Sequence, residues 1–168
     1  MKYGKAFAAG IVGAIAMTII MVMARAMGMP ANLEMMLGTM MGNPPSAMAW
    51  VIGLIIHLIA GGVLALIYAA GFEYWIQRAD WLVGLGFGVI HTLFSGLVVL
   101  GMLPAIHPLV PEMMAAPGVF MANLGVEGVV AFVALHLIYG AMVGAMYGPV
   151  LHPPLGKVVE TETTRIGV

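Results

Sequence analysis

Three histidines, His57, His91 and His136, stand near the middles of three long apolar runs, and two of them open the same phrase. His57-Leu58-Ile59-x-Gly61 returns as His136-Leu137-Ile138-x-Gly140, and each copy leads to a tyrosine at the same distance, Tyr68 and Tyr147. An imidazole placed in hydrocarbon is costly, so residues of this kind argue for a function. A neutral ring can give one nitrogen lone pair to a metal while its other nitrogen donates a hydrogen bond.

Two cofactor chemistries follow from that donor set. In the first, His57 and His136 are opposed axial ligands of haem b, or His91 opposes Met17, inside a helical bundle. Gly61 and Gly140 lie four places beyond their histidines on the same helical face, which leaves room for a flat macrocycle or for a neighbouring helix. In the second, His57, His91 and His136 hold one copper, zinc or iron ion with Met17 as a soft further ligand. That reading lacks the carboxylate that often orients a ligating histidine, since no Asp or Glu shares their depth, although a backbone carbonyl, Thr18 or Thr92 can serve. A third reading needs no cofactor: each histidine hydrogen-bonds a neighbouring helix and holds the fold together.

Methionine is the other unusual residue, with 17 in the chain. Met35, Met36, Met40 and Met41 crowd one connecting segment and His107 lies in another; thioethers suit Cu(I), so these residues form an alternative outer copper site. The competing reading makes the two connections short interfacial helices in which flexible methionine fills gaps. Asn32 before Leu33-Glu34-Met35-Met36-Leu37 has the look of a capped helix start, and Arg25 either reaches toward headgroups or pairs with Glu34.

The elements that must position these residues are set by composition. The chain has 168 residues, of which 62% are hydrophobic and 8% charged, with a mean hydropathy of +1.08. Charge is absent from 35 to 72, 81 to 111 and 128 to 156, which is more apolar surface than one soluble core of this size hides. A bilayer span takes about 20 such residues. Four fit, at about 6–26, 47–70, 82–103 and 125–147, giving an all-α, four-helix transmembrane domain over 1–156 and a cytoplasmic tail at 157–168. No alternating pattern marks a barrel. Residues 71–81 read as a short charged connection. The first run could pass for a secretion signal, but its length and Arg25 within the cleavage-like Ala24-Arg25-Ala26 argue that the helix is retained.

Basic residues orient the path. Lys2, Lys5, Arg78, Lys157 and Arg165 all fall on one side of a four-span route, which predicts that both termini face the cytoplasm. The two halves also look duplicated. A shift of 79 aligns the second helix with the fourth, with five identities in twelve, and a shift of 74 aligns the first with the third more weakly. Repeats of like orientation predict two helical hairpins related by a pseudo-two-fold along the membrane normal, with a site between them.

Cysteine is absent, which excludes disulfides and iron–sulfur clusters. A net charge of −1 leaves no basic face for nucleic acid. No nucleotide loop, nucleophile elbow, zinc-protease signature or carboxylate pair appears, so an enzyme acting alone is not expected. Four short glycine-rich helices carrying a repeated His-x3-Gly-x6-Tyr phrase resemble small uncharacterised prokaryotic membrane proteins of unknown function, and that resemblance implies no activity. The expected role is an auxiliary membrane subunit that holds haem b at midspan for electron transfer in a larger complex. Copper binding or transfer and a purely structural subunit are the alternatives. Membrane lipids and other membrane subunits, or a second copy of the chain, are the expected partners.

Overall fold

A computed structural model describes residues 1–110 and 112–150; His152 and the predicted tail lie outside the described residues. Uninterrupted apolar sequence without alternation should form helices, and among the described residues there is no strand. The elements are α1 (Tyr3–Ala26), α2 (Leu33–Thr39), α3 (Ala47–Ala70), α4 (Trp81–Phe94), α5 (Leu100–Ile106) and α6 (Gly125–Tyr147). A π-helical turn, Gly71–Ile76, prolongs α3, and another, Ser95–Val99, joins α4 to α5. A 3-10 segment, Val119–Leu124, leads into α6. With these extensions, Tyr3–Ala26, Ala47–Ile76, Trp81–Ile106 and Val119–Tyr147 are each long and apolar enough to cross a membrane.

The starts of the helices follow from local chemistry. Asn32 accepts a hydrogen bond from the Met35 amide at 3.1 Å, Ser46 from the Ala49 amide at 3.1 Å, and Asp80 from the amides of Leu82 and Val83 at 2.9 and 3.0 Å. Each cap satisfies a donor that has no partner within its helix. The ends are less legible. Sequence places Glu73 in a charged connection, yet it is buried inside the π turn, where the Tyr147 hydroxyl donates to its Oε1.

Glycine decides which helices touch. At the α1–α3 crossing, a Cβ on Gly10 would collide with the Gly61 carbonyl and Ala65, and one on Gly61 would press on Ala14. At the α4–α6 crossing, a Cβ on Gly84 would collide with the Gly140 carbonyl and Gly144, and one on Gly140 would collide with Gly84 and Gly88. The second crossing repeats the first position by position: Gly10 and Ala14 become Gly84 and Gly88 at the 74-residue shift, and Gly61 and Ala65 become Gly140 and Gly144 at the 79-residue shift. Close backbone contact at small residues is how helices associate where apolar burial gives no gain over lipid.

α1 also packs on α6, where the Tyr139 ring lies over Gly13. α2 lies flat on the first half of α3, since Gly38 meets the Ala49 carbonyl and Gly53 meets that of Glu34. The principal core runs between α1, α3 and α6 through Met17, Met21, Tyr68, Phe72, Leu135, Tyr139, Val143 and Tyr147. Ile19, Ile55, Ile59, Ile90 and Leu97 point outward, so the exposed faces are as apolar as the interior.

Candidate functional site

His57 follows the start of α3 by ten residues and His136 follows the start of α6 by eleven. A helix rises about 1.5 Å per residue, which puts both rings roughly 15 Å into the bundle from the α2 end. Both line a cavity of about 270 Å³. Its walls come from α1 (Met17, Met21), from α2 and the segment before it (Pro30 to Glu34, Met36), and from the segment Met114 to Pro117 with Met121 and Leu124. Leu100, Phe132 and Leu135 complete it, and His57 and His136 form its deep end. Five thioethers and two imidazoles thus share one largely apolar chamber.

The hydrogen bonds of the two rings differ. His136 Nδ1 lies 2.7 Å from the Phe132 carbonyl oxygen. A carbonyl only accepts, so Nδ1 carries the hydrogen and Nε2 of the neutral ring keeps its lone pair. That is the tautomer of a metal ligand held by a backbone carbonyl. His57 Nδ1 lies 3.1 Å from Thr18 Oγ1. A hydroxyl can donate or accept, so His57 can present Nε2 in either form. Of the orienting groups expected from sequence, a carbonyl and Thr18 act so, whereas Thr92 donates to Gly88 of its own helix at 2.7 Å.

His91 belongs to a neighbouring cluster. Its Nδ1 lies 3.1 Å from the Tyr68 hydroxyl, and its ring stands edge to face with those of His136, at 4.8 Å, and Tyr139, at 5.5 Å. Tyr139 in turn donates to the Gly61 carbonyl at 2.5 Å. Among the described residues no three of histidine, cysteine, aspartate and glutamate converge as a metal-holding group. Met17, expected opposite His91, instead lines the cavity of His57 and His136.

Packing bears on two further expectations. The space beside Gly61 and Gly140 is filled by the backbones of α1 and α4, so these glycines admit helices and not a macrocycle. The outer copper set disperses around α2: Met36 faces the cavity, Met40 packs against the cluster of Leu100, Leu103 and Phe132, Met35 is half-buried, and Met41 is 87% exposed. His107 is buried with both nitrogens occupied, Nε2 donating to the Met36 carbonyl at 2.9 Å and Nδ1 accepting from the Leu109 amide at 3.1 Å. It fastens two connections together.

The cavity wall also contains groups that sequence reading does not place there. Glu34, 1% exposed, is held by Arg25 at 3.0 Å, which realises the pairing considered from sequence and cancels the carboxylate charge. Met121 reaches the wall from a left-handed backbone, φ 61° and ψ 26°, next to Phe120 at φ 52°. Such conformations cost a non-glycine residue about 1–3 kcal/mol each and persist only where surrounding contacts impose them. Here Gly96 receives the Phe120 ring and Gly128 the Met121 carbonyl.

Among the described residues, the fold and the site define an all-helical protein with four membrane-compatible helices around an imidazole- and thioether-lined cavity. The chain belongs to DUF6789, a family of unknown function, whose model matches residues 1–155. No curated protein and no solved structure matches it.

Proposed function

We propose that this chain is an integral protein of a prokaryotic cytoplasmic membrane that holds a redox-active cofactor in the cavity lined by His57 and His136. It serves electron transfer as an auxiliary subunit of a larger membrane assembly and does not act as an enzyme alone. The observation that carries this reading is the fixed tautomer of His136, whose Nε2 is free to ligate while Nδ1 is tied to Phe132. A ligand-ready imidazole beside a second imidazole, in an apolar chamber, is more than helix packing requires.

The surroundings fit that role. The repeated glycine crossings support two hairpins related by a pseudo-two-fold along the membrane normal, with His57 and His136 as partners across it. Lys2, Lys5 and Arg78 at the opposite end from α2 support cytoplasmic termini. Apolar outward faces suit lipids and other membrane subunits, or a second copy of the chain.

Two cofactors answer to this donor set. Haem b would be held by His57 and His136. The cavity, however, is smaller than the pockets that usually enclose even drug-sized ligands, so a macrocycle requires the walls to part. A copper ion fits without such a change. Replacing His136 with Leu should remove the bound chromophore or metal, whereas His91→Leu should keep it. Equal retention in both variants would overturn the assignment of the cavity.

A further inference from the structure

We infer that the cofactor is a single Cu(I) ion, held at the deep end of the cavity by His136 with Met17 and Met21, and reached through the outer thioethers of Met36, Met114 and Met121. The inference rests on the redox-cofactor reading above and names its occupant.

Charge selects the ion. Among the described residues the only carboxylate on the cavity wall, that of Glu34, is already neutralised by Arg25, so the chamber offers no net negative charge to a cation. Charging an apolar site costs free energy that rises with the square of the charge, so a divalent ion costs about four times as much as a monovalent one. A monovalent ion bound through soft, polarizable donors is the case this wall accommodates. Thioether sulfur and neutral imidazole are donors that favour Cu(I), while Ca(II) and Mg(II) call for shells of oxygen ligands and Zn(II) is bound by imidazole, thiolate or carboxylate and not typically by thioether.

Position selects the ligands. Met17 and Met21 are four residues apart on α1, so both thioethers leave one helical face, and both are buried against the same space as His136. Met36 and Met114 lie toward the α2 end, where the Thr39 hydroxyl donates to the Met35 carbonyl at 2.8 Å and lies 3.4 Å from the Met114 sulfur. Met121 is held on the wall by its left-handed backbone. The thioethers therefore form a descending series from the connections at the α2 end to the imidazole at mid-depth, along which an ion can pass between similar donors without being set free. His57, with its adaptable tautomer, closes the far side.

The test is anaerobic titration of the full-length protein in detergent micelles with Cu(I) buffered by a competing chelator, alongside Cu K-edge absorption spectroscopy. Wild type should take up one copper per chain with nitrogen and sulfur neighbours. The Met17→Leu/Met21→Leu double variant, which conserves volume, should bind at least about tenfold more weakly. Met41→Leu, at an exposed site, should bind as wild type does. Undiminished binding by the double variant would overturn the ligand assignment. Wild type that takes no copper but shows a haem spectrum would overturn the copper inference and leave the redox reading standing. Protein with neither, folded by its thermal unfolding, would overturn both.

Discussion

His91 and His136 stand edge to face with ring centroids 4.8 Å apart, yet they serve different partners. His136 gives Nδ1 to the Phe132 carbonyl and belongs to the cavity, while His91 is turned toward the Tyr68 hydroxyl. Two histidines at one depth on adjoining helices are thus separated by rotation alone.

That division yields a first prediction. Tyr68→Phe removes the partner of His91 Nδ1 and should lower the thermal stability of the purified protein by about 1–3 kcal/mol, the cost of an unsatisfied buried polar group. Cofactor content should not change. A parallel fall in cofactor content would show that His91 belongs to the site.

A second prediction concerns the glycine crossings. Alanine at Gly140 must push its Cβ into Gly84 and Gly88 and should cost about 1–3 kcal/mol, as overpacking does. Alanine at Gly61, its counterpart in the first hairpin, should cost a similar amount. Gly86 lies on the same helix as Gly84 but has no neighbour within 4 Å, so Gly86→Ala should be neutral or stabilising by up to about 1 kcal/mol. Unfolding midpoints in one detergent compare the three; equal shifts at Gly86 and Gly140 would remove the crossing from the account.

The contrast shows where sequence reading succeeds. Four apolar helices, the Asn32 cap and the repeat that matches Gly61 with Gly140 follow from composition, local hydrogen bonding and self-similarity, and each needs only information along the chain. Rotation is different. The spans are apolar on every face, so no polar stripe marks the side of α1 that turns Met17 and Met21 inward, or the side of α4 that turns His91 toward Tyr68. The burial of Glu34 and Glu73 escapes the sequence for a related reason: a carboxylate reads as an exposed group until its partners, Arg25 and Tyr147, are brought to it by other elements.

A third prediction follows from Arg25 and Glu34. Arg25→Gln leaves an almost fully buried carboxylate without its cation; because Arg25 itself keeps a fifth of its side-chain surface exposed, a loss of about 3 kcal/mol is expected, the low end for breaking a buried pair. The double change Arg25→Leu/Glu34→Leu should regain most of it. Thermal unfolding of the two variants decides, and a double variant no better than the single one would contradict the pairing argument.

A fourth concerns pH at the start of α4. Asp80 caps the helix, and the Val83 amide first, with the Arg78 side chain beside it, holds its carboxyl below its ordinary value of 3.8. A carboxyl depressed on folding contributes stability that is present above its unfolded pKa and is lost as pH falls through the folded value. The stability gap between wild type and Asp80→Ala should therefore be constant near neutrality and shrink below about pH 4. A gap that widens on acidification would reverse the sign of the argument.

The central claim is that the cavity lined by His57 and His136 holds a redox-active cofactor. Its most direct test is a reduced-minus-oxidised visible spectrum of the protein gently purified from native membranes, with metal quantified on the same sample. Close to one copper or one haem per chain is expected, lost in His136→Leu. Folded wild-type protein with a blank spectrum and no bound metal would contradict it, and would leave the histidines as parts of the helix packing alone.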